Sequence, residues 1–153
     1  MERIAVFPGS FDPITKGHES IIRRALPLFD KIIIAIGVNS SKSTMFTLQQ
    51  REEWISSIFA GEKKIEVKSY EGLTIDFCKK EKAHFILRGL RTQADFEYEK
   101  AISQMNLALA KDIETVFLIT DPVYSAISST IVRDILRNKG DVSSFIPEKM
   151  NIA

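Results

Sequence analysis

Thr15-Lys16-Gly17-His18 has the form of a phosphate-binding turn with a histidine at a helix entrance, and it follows an apolar strand and the loop Pro8-Gly9-Ser10-Phe11-Asp12-Pro13. Gly9 and Gly17 remove side chains where backbone must approach a ligand, and Pro8 and Pro13 stiffen the loop between them. Thr15 is placed to cap a helix starting near Gly17. The free N–H groups and positive dipole end then lie beside His18, which attracts a phosphate. A histidine next to a glycine serves equally as a cap or turn residue, so the tetrapeptide points to nucleotide chemistry only through its context. Neither G-x-G-x-x-G nor G-x-x-x-x-G-K-[ST] occurs in the chain. A nucleotide site here therefore needs a design other than the dinucleotide fingerprint or the P-loop.

Other candidates are spread along the chain. Lys42 lies in a polar loop, Ser40 to Thr44, either as a solvated lysine or as a phosphate contact after a strand. Arg88 ends the apolar run Phe85-Ile86-Leu87, where an unpaired guanidinium is costly, so it needs an anion. For Arg88 and Arg91 that anion is either a ligand or one of the acids Asp95, Glu97 and Glu99. Ser128, Ser129 and Thr130 precede the helical pattern Ile131 to Leu136; one hydroxyl suffices for a cap, and three in succession suggest an added phosphate ligand.

These residues need a frame, and the apolar pattern supplies one. Ile4 to Phe7, Ile32 to Val38, Ile65 to Val67, Phe85 to Leu87 and Val116 to Ile119 are short β-branched runs that read as buried strands. Helical patterns lie between them. Ile21, Ile22, Ala25, Leu28 and Phe29 mark the first, which Pro27 shortens or bends. Thr47 and Gln50 open the second with capping-box spacing, ahead of Trp54, Ile55, Ile58 and Phe59. Longer helices are expected over Phe96 to Ala110 and Ser129 to Asn138, the last stopped by Gly140 as the C′ residue. Such alternation predicts a doubly wound α/β fold, a parallel sheet with helices on both faces and every strand's carboxyl end on one edge. Ligands of such sheets bind where the strand order reverses, and the segments after the strands carry the hydroxyls, cations and glycines of a polyphosphate site.

With 153 residues, 44% of them hydrophobic and 27% charged, the chain is read as one domain, residues 1–153, with a full core. The lone cysteine, Cys78, excludes an internal disulfide framework and reads as a buried packing thiol. No apolar run approaches a membrane span and none resembles a signal h-region, so a cytoplasmic protein is expected. A net charge of +1 offers no general attraction to nucleic acid or membrane, so the expected partner is a small molecule held by a local positive field.

The set Pro8-Gly9-Ser10-Phe11-Asp12-Pro13-Ile14-Thr15-Lys16-Gly17-His18, Arg88-Gly89-Leu90-Arg91 with Asp95-Phe96-Glu97-Tyr98-Glu99, and Ile127-Ser128-Ser129-Thr130 resembles the bacterial phosphopantetheine adenylyltransferases, a family of the T/H-x-G-H nucleotidyltransferase superfamily. The likeness runs from Arg3 to about Pro147. It implies a Rossmann-like five-stranded parallel sheet, a homohexamer, and adenylyl transfer from ATP to 4′-phosphopantetheine. By the same resemblance His18, Lys42 and Arg88 are catalytic, with Ser10 and His18 on the reacting phosphates. Ser10, Lys42, Thr74 and Arg88 hold 4′-phosphopantetheine. ATP is held by Ser10, Phe11, His18, Gly89, Leu90, Arg91, Glu99, Tyr124, Ser125, Ala126, Ile127, Ser128, Ser129 and Thr130. Asp134 stands where the family frequently has glutamate. No carboxylate cluster is spaced as a metal cage, so Mg²⁺ is expected to arrive with ATP. Two rivals stand beside this reading: another nucleotidyltransferase, acting on nicotinamide mononucleotide or transferring cytidylyl groups, and an idle ATP-binding sensor.

Overall fold

A computed structural model describes residues 1–152 of the chain. All five expected strands form: β1 (Ile4–Gly9), β2 (Lys31–Gly37), β3 (Ile65–Tyr70), β4 (Phe85–Leu90) and β5 (Glu114–Ile119). They make one all-parallel sheet in the order β3-β2-β1-β4-β5. The α-helices are α1 (Lys16–Ala25), α2 (Leu48–Ile58), α3 (Thr74–Lys80), α4 (Gln93–Leu109) and α5 (Ser129–Arg137). This is the expected doubly wound α/β arrangement, and its order reverses between β1 and β4.

Strand parity explains why both faces are covered. Ile32, Ile34 and Ile36 of β2 belong to one apolar cluster, with α1 residues Ile21, Ile22 and Ala25, Ile55 and Ile58 of α2, and Val132 of α5. Ile33 and Ala35 belong to the other, with Ile75, Phe77 and Cys78 of α3 and with Ala110 and Ile113. Successive side chains of a strand point to opposite faces, so a continuous apolar run is what a sheet buried on both sides requires. Each fully buried isoleucine contributes about 1.5–3 kcal/mol. Cys78 is fully buried, and desolvation pushes its thiol up to about 11, as befits a packing residue.

β1 and β4 pair only through Ala5↔Phe85 and Val6↔Ile86. Beyond those pairs the two strands part, which is how Pro8, lacking an N–H, is accommodated in a central strand. The gap is the start of the crevice.

Helix boundaries follow local chemistry: Pro27 shortens the first helix as expected, whereas α3 and the ending of α5 differ from expectation. Pro27 ends α1 at Ala25, and Leu26–Leu28 continue as a 3₁₀ turn. α3 was not expected from the periodicity, being two turns long and opened by Leu73, which makes no side-chain cap bond. Gly140 is not the C′ residue of α5: Lys139 occupies the left-handed position with φ 59°. Gly140 N–H instead donates to Ile135 O at 2.8 Å and Lys139 N–H to Leu136 O at 3.0 Å, a Schellman ending with glycine one position later. A Cβ on Gly140 would lie 2.5 Å from Ile135 Cγ2 and 3.2 Å from its carbonyl oxygen. Gly140→Ala is therefore expected to destabilise the fold by about 1–3 kcal/mol, read from the urea midpoint at unchanged m-value.

Candidate active site

At the β1/β4 opening a cleft of about 510 Å³ is lined by residues from four chain segments. Gly9, Ser10, Phe11, Gly17 and His18 come from β1 and the entry to α1. Lys42 comes from the loop after β2, Arg88, Gly89, Arg91, Asp95 and Glu99 from β4 and α4, and Ile127, Ser128, Ser129 and Thr130 from the entry to α5. Close approach of α1 to β4 depends on Gly89, where a Cβ would meet Ile21 Cγ1 at 3.0 Å. Gly9 answers to packing as much as to any ligand, since a Cβ there would meet the Phe11 ring at 3.1 Å.

His18 is held on several sides. Thr15 caps α1, and the His18 ring completes a capping box by accepting the Thr15 N–H at Nδ1, at 3.0 Å. An accepting Nδ1 carries no proton, so the neutral ring bears its hydrogen on Nε2 as a donor. Phe11, in a left-handed conformation at φ 47°, sets its ring edge-on to His18 with centroids 5.2 Å apart. Desolvation foremost, then the charges of Arg88 and Arg91, lowers the His18 pKa from 6.5 to about 4. The cap and ligand readings of this histidine thus coincide in one side chain, with Nδ1 serving the helix and Nε2 left over.

Arg88 is paired. Its Nε donates to both Glu99 carboxylate oxygens at 3.1 and 3.0 Å, Nη2 donates to Glu99 Oε1, and Nη1 donates to Pro8 O. A guanidinium has five N–H groups, and three are engaged among the described residues, which leaves one on each Nη. Glu99 is 7% exposed, the only buried residue of α4. Arg91 pairs with Asp95 at 3.1 Å and donates to Ile127 O at 3.3 Å. Of the three acids considered for these cations, Glu97 is exposed and joins neither. Lys42 is exposed and forms no ion pair among the described residues, so it is the cation of the cleft most open to an added anion.

The three hydroxyls at α5 have distinct partners. Ser128 caps the helix by accepting the Ile131 N–H, Ser129 donates to Pro13 O at 2.8 Å, and Thr130 accepts from Arg133 at 3.2 Å. The cap reading holds for Ser128. The N–H groups of Ser129 and Thr130 occupy the first helical turn, without intrahelical acceptors, and both residues line the cleft, as a helix start able to accept an anion would require.

Other expected site residues lie apart from this cleft. Leu90 is buried. Tyr124 lines a different groove, of about 520 Å³, beside Lys16, Ser20 and Arg24. Ser125 donates its hydroxyl to Pro122 O, and Ala126 is exposed. Thr74 bonds Tyr70 through its hydroxyl at 2.8 Å and lines a cavity of about 220 Å³ with Tyr70, Ile86, Ile102 and Asn106. That cavity shares Pro8, Gly9, Arg88 and Glu99 with the main cleft. Asp134 is exposed on α5, away from the lining. Among the described residues no group of three or more His, Cys, Asp or Glu is placed to hold a metal ion.

Sequence reasoning missed Asp12, Arg51 and Arg133. Asp12 and Arg51 are 4% and 5% exposed and hold the loops around His18 through backbone groups. The only sequence signal was an acid between an aromatic and a proline in a loop already judged stiff. Backbone partners leave no pattern of complementary side chains to read.

The lowered His18 pKa has a stability sign. Its folded value of about 4 lies below the unfolded 6.5, so its contribution is complete above pH 6.5 and is lost as the pH falls toward 4. NMR titration of the ligand-free protein is expected to find the ring neutral throughout pH 5–8. Arg91→Met is expected to raise the ring's pKa, and His18→Asn to flatten the fall in stability between pH 6.5 and 4.

Residues 6–135 match the cytidylyltransferase-like family model. The phosphopantetheine adenylyltransferase of Flavobacterium johnsoniae is 58% identical over 150 residues, covering 98% of both chains. That of Leptospira biflexa is 52% identical over 148 residues, covering 97% of this chain and 92% of its own. Among solved structures, a bifunctional NMN adenylyltransferase/ADP ribose pyrophosphatase from Francisella tularensis superposes with a TM-score of 0.73 at 20% identity. That match covers 98% of this chain and 46% of the other, so this chain spans under half of that protein and shares its fold. A sheet with its switch-point cleft, the T-x-G-H helix entrance and identity above half over nearly full length lead to one conclusion: the chain belongs to the phosphopantetheine adenylyltransferase family of nucleotidyltransferases.

Proposed function

We propose that the β1/β4 cleft transfers the adenylyl group of ATP to 4′-phosphopantetheine, giving dephospho-coenzyme A and pyrophosphate in coenzyme A biosynthesis. The observation that carries this reading is the wall shared by the two cavities. A phosphate held by Arg88 and Lys42 would lie in the charged cleft, and a neutral arm attached to it would extend past Gly9 into the cavity of Tyr70, Thr74, Ile86 and Ile102. A nicotinamide nucleotide has no such arm, so the cavity favours the pantetheine substrate over that rival.

In this reaction a phosphate oxygen of 4′-phosphopantetheine attacks the α-phosphorus of ATP in line. A new P–O bond forms there as the bond to the pyrophosphate oxygen breaks. The attacking oxygen is already anionic at neutral pH, so no general base is needed, and the protein's work is positioning and charge stabilisation. His18 is assigned to the transition state: its Nε2–H is aimed by the Thr15 bond, and its depressed pKa keeps the ring neutral and free of reorganisation. Lys42, with the two free N–H groups of Arg88, offsets repulsion between the anionic substrates. Arg91 and the α5 terminus at Ser128, Ser129 and Thr130 take the leaving phosphates of ATP. Mg²⁺ enters on the phosphates of ATP, whose hard oxygens suit it.

We place the enzyme in the cytoplasm as a homohexamer. No helix among the described residues is long and apolar enough to cross a membrane. In support of assembly, α4 exposes a stripe of Tyr98, Ile102, Met105 and Leu109 at 68%, 38%, 64% and 56%, spaced along one helix face.

Purified protein mixed with ATP, Mg²⁺ and 4′-phosphopantetheine is expected to yield dephospho-coenzyme A and pyrophosphate by mass, with nicotinamide mononucleotide a poor replacement. Pyrophosphate release with the mononucleotide alone would select the rival transferase, and ATP binding without turnover the sensor. His18→Ala is expected to lower kcat at least about 10²-fold while the Kd for ATP changes little. Lys42→Ala should weaken 4′-phosphopantetheine binding about 10- to 100-fold by calorimetry, and Arg91→Ala should instead weaken ATP binding. Arg88→Ala strands the buried Glu99 carboxylate, so Arg88 is tested alongside Glu99→Gln.

A further inference from the structure

Asp12 is a carboxylate at 4% exposure that does not line the active-site cleft. Its Oδ2 accepts the Met45 N–H and its Oδ1 the Phe46 N–H, both at 2.9 Å. These amides belong to the loop that carries Lys42, three residues before Met45. Arg133 of α5 donates to the Asp12 carbonyl at 2.8 Å and stands 4.0 Å from its carboxylate. Arg51 closes the same junction, donating to Ser10 O at 2.7 Å and to Phe46 O at 3.2 Å. One buried acid therefore links the His18 loop, the Lys42 loop and, through Arg133, the middle of α5, while Lys42 itself is exposed with no ion pair among the described residues.

We propose that Asp12 is the positioning residue for Lys42, setting that loop at the reach the substrate phosphate requires. Each carboxylate oxygen serves one N–H, so both are needed: an amide would turn an NH₂ donor toward an N–H donor and lose one bond. Apart from the Arg51 bridge between Ser10 O and Phe46 O, the loop after β2 rests on short-range bonds of its own, such as Ser41 N–H to Asn39 Oδ1 and Thr44 Oγ1 to Phe46 O. Those bonds shape the loop without tying it to β1.

The assignment rests on the Lys42 reading above, and a double-mutant cycle separates the two. Steady-state kinetics of Asp12→Asn, Lys42→Ala and the double variant are compared. Asp12→Asn is expected to lower kcat/KM for 4′-phosphopantetheine by about 10- to 100-fold and to leave KM for ATP within about threefold. In the Lys42→Ala background the same substitution is expected to cost less than about threefold, because no lysine remains to position. An equal loss in both backgrounds, or an equal loss for both substrates, overturns the proposal. A near-normal Lys42→Ala rejects the Lys42 reading by itself. Hydrogen exchange supplies a readout independent of turnover: Asp12→Asn should speed exchange over residues 39–46 at least about tenfold while β1 and β2 stay protected, and unchanged exchange over 39–46 overturns the proposal. Should the variant not fold, the Met45 and Phe46 amides of the unmodified protein decide it, with protection expected and exchange at free-peptide rates refuting it.

Discussion

The Arg88–Glu99 pair at the mouth of the β1/β4 opening is the interaction around which the rest of the site is arranged. β1 and β4 stay paired over only two residues, and the guanidinium occupies the gap, donating to Pro8 O on one strand and to Glu99 on α4. A single charged group thus spans three elements where the strand order reverses. Glu99 is the buried partner, so removing Arg88 would leave an uncompensated carboxylate at a cost of about 3–5 kcal/mol. The pair does not exhaust Arg88, and its two free N–H groups keep an anion-binding capacity at the same point. Structural and binding readings of this arginine are therefore not alternatives.

Around that pair the site separates its charges by environment. His18 lies close to two arginines and in a desolvated position, which holds its ring neutral, and its second nitrogen is committed to the backbone of Thr15. Lys42 is exposed and forms no ion pair among the described residues. A neutral donor that needs no proton transfer and an exposed cation suit the proposed reaction, whose nucleophile is already ionised. The helix entrances of α1 and α5 complete the lining with backbone N–H groups, whose directions are set by the caps Thr15 and Ser128.

Polar groups that never line the cleft set its geometry. Asp12, Arg51 and Arg133 speak almost entirely to backbone atoms, converting three separately closed loops into one rigid junction. Ser129 adds a bond to Pro13 O. Buried groups satisfied in this way make the junction directional, because each hydrogen bond has an angle as well as a distance.

Much of the fold was legible in the residues themselves. β-branched runs such as Ile32 to Ile36 must be buried on both faces, and alternation with helical periods leaves a parallel sheet as the economical solution. Thr15 and Thr47 announced their helix starts through capping chemistry. These signals are local, carried by side chains acting on their own or adjacent backbone. What only the tertiary structure decided is which distant groups meet: that Glu99 and not Glu97 takes Arg88, that Lys139 and not Gly140 turns the chain after α5, that Tyr124 and Leu90 lie off the cleft, and that Asp12 bonds the amides of Met45 and Phe46. The reason is physical: a carboxylate bonds any N–H that arrives within reach, and which one arrives is set by strand order and loop path, which pairwise residue chemistry does not encode.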